Sequence, residues 1–202
     1  MVEVGKGVGM PGKLDIMNAI RKGLDDVRFA PDVTWGSWTQ AIYTKLCEIG
    51  QEEFGCYVCV QPSRAPKAES LAWLYAMTWL EYTHHTVGLR KTEGWLVDAH
   101  LLVDHRWART RDIETVESGF SRLLLGRAGV RLMVCYDWRE EWRHEKVKDA
   151  ESLAGHLAEW VRRFNGSRAE DAYLLAVLGH DKVSDSHRFQ YFTLGLSGAS
   201  AW

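Results

Sequence analysis

The chain has 202 residues, 46% hydrophobic and 26% charged, a balance that supports the core of one globular domain and excludes a fibre or a long disordered tail. No apolar run reaches the roughly 18 residues of a membrane helix, and the N-terminal MVEVGKGVGMPGK lacks the apolar stretch of a secretory leader, so the expectation is a cytoplasmic protein with no membrane contact. A formal charge of -2 gives no overall attraction for nucleic acid, and any such contact has to come from a local basic surface.

Leu14, Met17, Ile20 and Leu24 recur at near-helical spacing, so residues 13 to 26 read as a short amphipathic helix ahead of the breaker FAPDV. Residues 1 to 35 are taken as an N-terminal helical extension and 36 to 202 as a single α/β domain. Ser37 and Gln40 form a capping-box pattern, after which Trp38, Ala41, Ile42, Leu46 and Ile49 keep one face apolar as far as Gly50 or Gly55. Strand character follows in CYVCVQ (56 to 61), in LAWLYAMTWLEY (71 to 82) and, after a polar Gly88 and Gly94 segment, in AHLLVDHRW (99 to 107). Alternation puts Leu102, Asp104 and Arg106 on one face of that last strand and Leu101, Val103 and Trp107 on the other.

Ile113, Val116, Phe120, Leu123 and Leu124 return to helical spacing and stop at Gly126, and VRLMVCY (130 to 136) is a strand of the buried kind. A helix over 149 to 165, with Leu153, Leu157, Trp160, Val161 and Phe164 as its stripe, precedes the paired strands AYLLAVLG (172 to 179) and HRFQYFTL (187 to 194). The order helix, three strands, helix, strand, helix, two strands predicts a central mixed sheet flanked by helices.

Cys47, Cys56, Cys59 and Cys135 lie in apolar segments and read as reduced, structural thiols; the Cys56 and Cys59 pair has no partner motif to complete a zinc site. Of the ten tryptophans, Trp38, Trp160, Trp73 and Trp79 fall on apolar helix or strand faces, and Trp138 and Trp142 sit in the charged stretch YDWREEWRHEKVKD. There is no HExxH, Walker loop, GxGxxG or GxSxG string.

Two local strings carry a resemblance: WLYAMTWLEY, and LLVDHRW followed by a helix ending FSRLLLGRAGVRLMVC. Over residues 37 to 136 the chain resembles the αβββαβ core of the PD-(D/E)XK nuclease superfamily. The likeness is to a bacterial branch with strands like E-W-L-Y-D-x-x-W and L-V-x-E-S-E-W and a helix like D-F-x-K-L-L. The resemblance implies a restriction-endonuclease-like fold, here with a C-terminal helix and β-hairpin added, and an ancestry among Mg2+-dependent DNA-cleaving enzymes. The aromatic and apolar skeleton matches and the acids do not. Ala72 and Ala76 stand where the pattern has Glu and Asp, Asp104-His105-Arg106 replaces E-S-E, Gly119 replaces the opening Asp, and Arg122 replaces the lysine.

Hydrolysis with Mg2+ needs carboxylates from adjacent strands to hold a hard cation, and a lysine or arginine to stabilise developing charge. An alanine methyl supplies neither. On a regular strand Ala72 and Ala76 would share a face and converge with Asp104 from the next strand. Asp104 and Arg106 keep the same-face spacing of the D/E-x-K motif, and Arg122 supplies the second cation. The expectation is therefore a nuclease-fold protein with little or no cleavage, in which Arg106, Arg109, Arg111 and Arg122 are the candidate DNA contacts, with an ordinary mixed-charge face, given the interspersed Asp112, Glu114 and Glu117, as the other reading of these arginines. Two alternatives remain open. One is a scaffold domain that presents Trp138 to Trp142 or a sheet edge to a protein partner. The other is an active enzyme with a rearranged Mg2+ site built from Asp104, Asp98 and Glu69 or Glu81. The alanines fit natural divergence better than deliberate replacement, because Asp104-His105-Arg106 is not an alanine change.

Overall fold

The computed structural model describes residues 11–28, 35–60, 75–83, 86–87, 90–91, 95–106, 113–136, 147–181 and 186–202. Apolar residues at helical spacing form α1 (Lys13–Asp25), α2 (Trp35–Glu48), α3 (Ile113–Leu125) and α4 (Ala150–Arg163). The strands are β1 (Tyr57–Val60), β2 (Met77–Thr83), β3 (Thr86–Val87), β4 (Arg90–Lys91), β5 (Trp95–Arg106), β6 (Val130–Tyr136), β7 (Ala172–Asp181), β8 (Ser186–Gly195) and β9 (Gly198–Ala201). Seven of them make one sheet in the order β1-β2-β5-β6-β7-β8-β9, and β3 and β4 form a separate two-stranded ribbon.

The sheet is mixed for a topological reason. β5, β6 and β7 run parallel, joined by the crossovers that contain α3 and α4, while β1, β2, β8 and β9 pair antiparallel through short connections or as added edges. Parallel strands are covered on both faces, which is why β6 is a nearly unbroken apolar run with every residue from Val130 to Cys135 buried. Alternation then divides the core. Leu101, Val103, Val130, Leu132, Val134, Leu174 and Ala176 face α1 and α2, and Leu102, Met133, Cys135, Leu175 and Val177 face α3 and α4.

α1, read from the sequence as an extension, lays Ile16, Met17, Ile20 and Leu24 into the first of these layers. The Tyr191 hydroxyl of β8 ties it down by donating to Asp25 Oδ1 at 2.8 Å. α2 begins at Trp35, so the Ser37–Gln40 pair falls inside the helix and does not cap it; Gln40 bonds instead to Thr44, one turn on. The helix closes in a π-helical turn, Ile49–Glu53, and Gly55 ends it with φ +64°, a left-handed conformation that suits glycine. α4 starts as its spacing predicts, with Asp149 accepting from the Ser152 amide as the N-cap. β5 begins at Trp95, four residues before the sequence reading, and β9, starting at Gly198, is an additional strand.

Among the described residues no helix is long and apolar enough to cross a membrane. All four cysteines are free thiols, and burial raises them, Cys56 to about 11 and Cys135 further. Of the expected core tryptophans, Trp38 and Trp79 are buried and Trp160 packs against the α3 and α4 layer. Trp73, Trp138 and Trp142 lie outside the described residues.

Gly50 is a close approach of backbone to an indole in the first layer. A Cβ there would stand 2.8 Å from the Trp79 indole and 2.9 Å from Val58, whereas one on Gly155 in α4 would meet nothing within 4 Å. Gly50→Ala is therefore expected to lower stability by about 1–3 kcal/mol in urea unfolding, from overpacking. Gly155→Ala is expected to raise it by about 0.5–1 kcal/mol, from helix propensity and reduced unfolded-state freedom.

Candidate functional site

The carboxylate of Asp104 is the centre of the site. It sits near the end of β5, opposite Met133 of β6, and only 2% of the residue is exposed. Alternation sends it to the α3 side, where Arg122 donates to Oδ2 through Nε at 3.0 Å and through Nη2. Arg106, two residues along the same strand, donates to the same oxygen from Nη2 at 3.4 Å, and the His105 amide donates to Oδ1 at 2.8 Å. Three residues thus hold one carboxylate, with the two guanidinium side chains 24% and 32% exposed and the carboxylate 3%.

α3 is held in place around this contact. Tyr75 donates its hydroxyl to the Arg122 carbonyl at 3.2 Å, and Gly119, one turn before Arg122, packs against the Arg106 side chain. A Cβ on Gly119 would lie 2.7 Å from Arg106 Nε and 3.2 Å from Met133, so the glycine makes the space that Arg106 fills. Arg106 Nε is buried there without a hydrogen-bond partner among the described residues.

Burial pushes the Asp104 carboxyl above the ordinary aspartate range, while the Arg122 guanidinium and the His105 amide pull it back. Between the ordinary and the raised value the folded chain holds a proton that the unfolded chain has released, so Asp104 contributes more to stability as the pH falls through that window.

Sequence reasoning therefore brought Asp104, Arg106 and Arg122 to one place, and the structure puts them in contact. Ala76 goes elsewhere. The chain bends at Tyr75 and Ala76, the Ala76 amide bonds to the Val103 carbonyl, and the methyl is buried in the α1 and α2 layer, while Tyr75 packs in the α3 and α4 layer. The regular alternation that would have set Ala76 beside Asp104 fails at that bend. Ala72, Arg109, Arg111 and Glu69 lie outside the described residues.

Asp98 cannot join Asp104 on one metal ion. It pairs with Glu81 at the far end of β5, six residues or roughly 20 Å from Asp104, where its Oδ1 accepts from the Ala99 amide. Glu81 is itself bonded to the buried His100 at 3.0 Å. A Mg2+ ion needs oxygen ligands at about 2.0–2.1 Å, which this separation forbids. Among the described residues no group of three or more His, Cys, Asp and Glu side chains is placed to hold a metal ion.

Arg131 of β6 is internal. It donates to the Gly126 carbonyl at the end of α3, pairs with Asp171 at 3.0 Å and lies over the Tyr173 ring, so it caps a helix and does not face solvent. Sequence reasoning missed the Tyr43 hydroxyl bond to His105 Nδ1, which joins α2 to β5, and the aromatic and imidazole row of Trp38, Tyr136, His180 and His187. Apart from the His180 and His187 pair, these are contacts between distant segments, and the one available signal was that His180 and His187 stand on strands only a few residues apart in sequence.

No family model matches the chain, and no curated protein or solved structure does either.

Removing Arg122 strands a buried carboxylate. Arg122→Ala is expected to cost about 2–4 kcal/mol at pH 7. The cost should shrink as the pH falls below the raised Asp104 value, because the protonated carboxyl needs no counter-charge. Urea unfolding at pH 7 and at acidic pH checks both statements, and adding Asp104→Asn to Arg122→Ala should flatten the pH dependence.

Proposed function

We propose that this chain is a nuclease-fold protein related to Mg2+-dependent DNA-cleaving enzymes, that it does not hydrolyse phosphodiesters, and that it binds nucleic acid at the Asp104, Arg106 and Arg122 cluster. The observation that carries the reading is the state of Asp104. In a metal-dependent nuclease the equivalent carboxylate would be spent on a hydrated cation that polarises the phosphate and activates water. Here it is spent on two guanidinium groups of the same chain, and among the described residues no group of three or more His, Cys, Asp and Glu side chains is placed to hold a metal ion.

The topology supports the ancestry. α2 precedes three antiparallel neighbours, β1, β2 and β5, and α3 then leads into β6 parallel to β5, which fits the αβββαβ order of the resemblance. The cluster also keeps a use for phosphate. Two guanidinium groups against one carboxylate leave one net positive charge, and both are partly exposed at the carboxyl end of the strands. Arginine presents paired donors to a phosphate and cannot accept a proton from water, so binding without hydrolysis is the chemistry this set performs.

The test uses a DNA duplex with Mg2+ or Mn2+. The expected result is no nicking, together with binding whose affinity falls steeply with salt. Arg106→Gln is expected to weaken binding and to reduce the salt slope by about one. Cleavage that Asp104→Asn abolishes would overturn the loss of activity, and undetectable or salt-insensitive binding would overturn the nucleic-acid role in favour of a scaffold domain.

A further inference from the structure

The two guanidinium groups on Asp104 are held unequally. Arg122 gives the carboxylate two donors, Nε at 3.0 Å and Nη2, and its own carbonyl is tied to the Tyr75 hydroxyl. Arg106 gives it one contact, from Nη2 at 3.4 Å, which is at the outer limit of a hydrogen bond. In that position Arg106 Nε is buried with no hydrogen-bond partner among the described residues, and an orphaned buried donor is unfavourable. The Arg106 side chain is 24% exposed, so part of it already meets solvent. The Arg122 pair is the anchor of the cluster, and the Arg106 contact is the one that can be exchanged.

A phosphate that engages Arg106 competes with Asp104 for it. Both are anions, and N–H donors turned onto phosphate oxygens are no longer available to a carboxylate. Asp104 then keeps one counter-charge in place of two and gains a second anion as a neighbour. Both changes favour the protonated carboxyl, and burial acts in the same direction on the unliganded chain. The groups around Asp104 leave this proton to it. Arg106 on the same strand and Arg122 on α3 stay charged, and the His105 ring is bonded to Tyr43 in the α1 and α2 layer, on the other face of the sheet. β6 contributes the Cys135 thiol and the segment before β2 the Tyr75 phenol, and burial raises both, so each stays neutral at and below pH 7. β2 pairs Met77 and Thr78, neither of them ionisable, with Val103 and Leu102.

We propose that phosphate binding at this cluster is coupled to protonation of Asp104, with Arg106 passing from the carboxylate to the phosphate while Arg122 stays in place. This rests on the nucleic-acid reading of the cluster given above. The step takes one proton from solvent onto Asp104 and exchanges the Arg106 bond to the carboxylate for bonds to phosphate oxygens. The sign follows from the charges. With Asp104 ionised the cluster carries one net positive charge, and with Asp104 protonated it carries two. By linkage the coupling is reciprocal, so acid tightens phosphate binding and phosphate draws a proton onto Asp104.

Calorimetric titration of the full chain with a DNA duplex, in two buffers of different ionisation enthalpy, reads the protons taken up on binding. Wild type is expected to take up part of one proton per chain bound, and its affinity at constant ionic strength to rise below pH 7 by up to about tenfold per pH unit. Asp104→Asn keeps the shape and removes the titration. It is expected to bind several-fold more tightly than wild type at pH 7 and to lose that proton uptake, with circular dichroism reporting whether the fold is kept. Arg106→Gln is the second variant, expected to bind more weakly and to take up fewer protons than wild type. DNA binding with no more proton uptake in wild type than in either variant would overturn the coupling and leave the nucleic-acid reading standing. Absence of DNA binding at every pH would overturn both.

Discussion

A single carboxylate in an apolar strand sets the terms for the centre of this sheet. Asp104 interrupts the run of Leu101, Leu102 and Val103 and is almost as buried as they are. An isolated charge there would cost several kcal/mol. The chain offsets that cost with Arg122 from the following helix and Arg106 from the same strand, and the neighbouring features follow. Gly119 has no side chain because Arg106 occupies the space, and Tyr75 turns onto the Arg122 carbonyl, fixing the height at which α3 crosses the sheet. The position of α3 is thus specified by an ion pair as well as by the fit of Val116, Phe120 and Leu123 into the core.

The same arrangement limits the chemistry. A metal ion and a guanidinium solve the same electrostatic problem for a carboxylate, but only the metal brings an acidic water to a phosphate. With Arg122 donating twice to the same oxygen, the carboxylate is a structural counter-ion, and what the cluster presents outward is residual positive charge. On the function proposed above, such a site recognises anions and does not hydrolyse them.

How much of this was legible in the sequence depends on whether periodicity alone decides. It did for β6, for the apolar stripe of α4 and for the side of β5 that carries Leu102 and Asp104, because each is a regular element buried against a layer. Arg122 was reached through the resemblance of its helix string, not through spacing. Ala76 was misplaced because a bend at Tyr75 and Ala76 shifts the alternation, and no residue there announces a bend. Asp98 was misplaced because nearness in sequence is distance along a strand. The length of β5 was underread because Leu96, Val97 and Asp98 are exposed and break its apolar character. Tyr43 with His105, 62 residues apart, and Tyr136 with His187, 51 residues apart, lie beyond any local pattern.

The ladder between β7 and β8 bears also on how the chain assembles. It runs without a register shift from Tyr173 and Leu194 to Asp181 and Ser186, and only residues 182–185 separate its strands. β2 and β5 pair with two shifts, and β5, β6 and β7 need whole crossover helices between them. Loop-closure entropy is small for close pairings, and β8 and β9 close over a shorter gap still, between Gly195 and Gly198, so the β7-β8-β9 meander has the lowest cost of initiation in the sheet. It offers β6 a ready edge, and the parallel centre can then be laid down on a C-terminal template, from the end of the chain back toward its beginning.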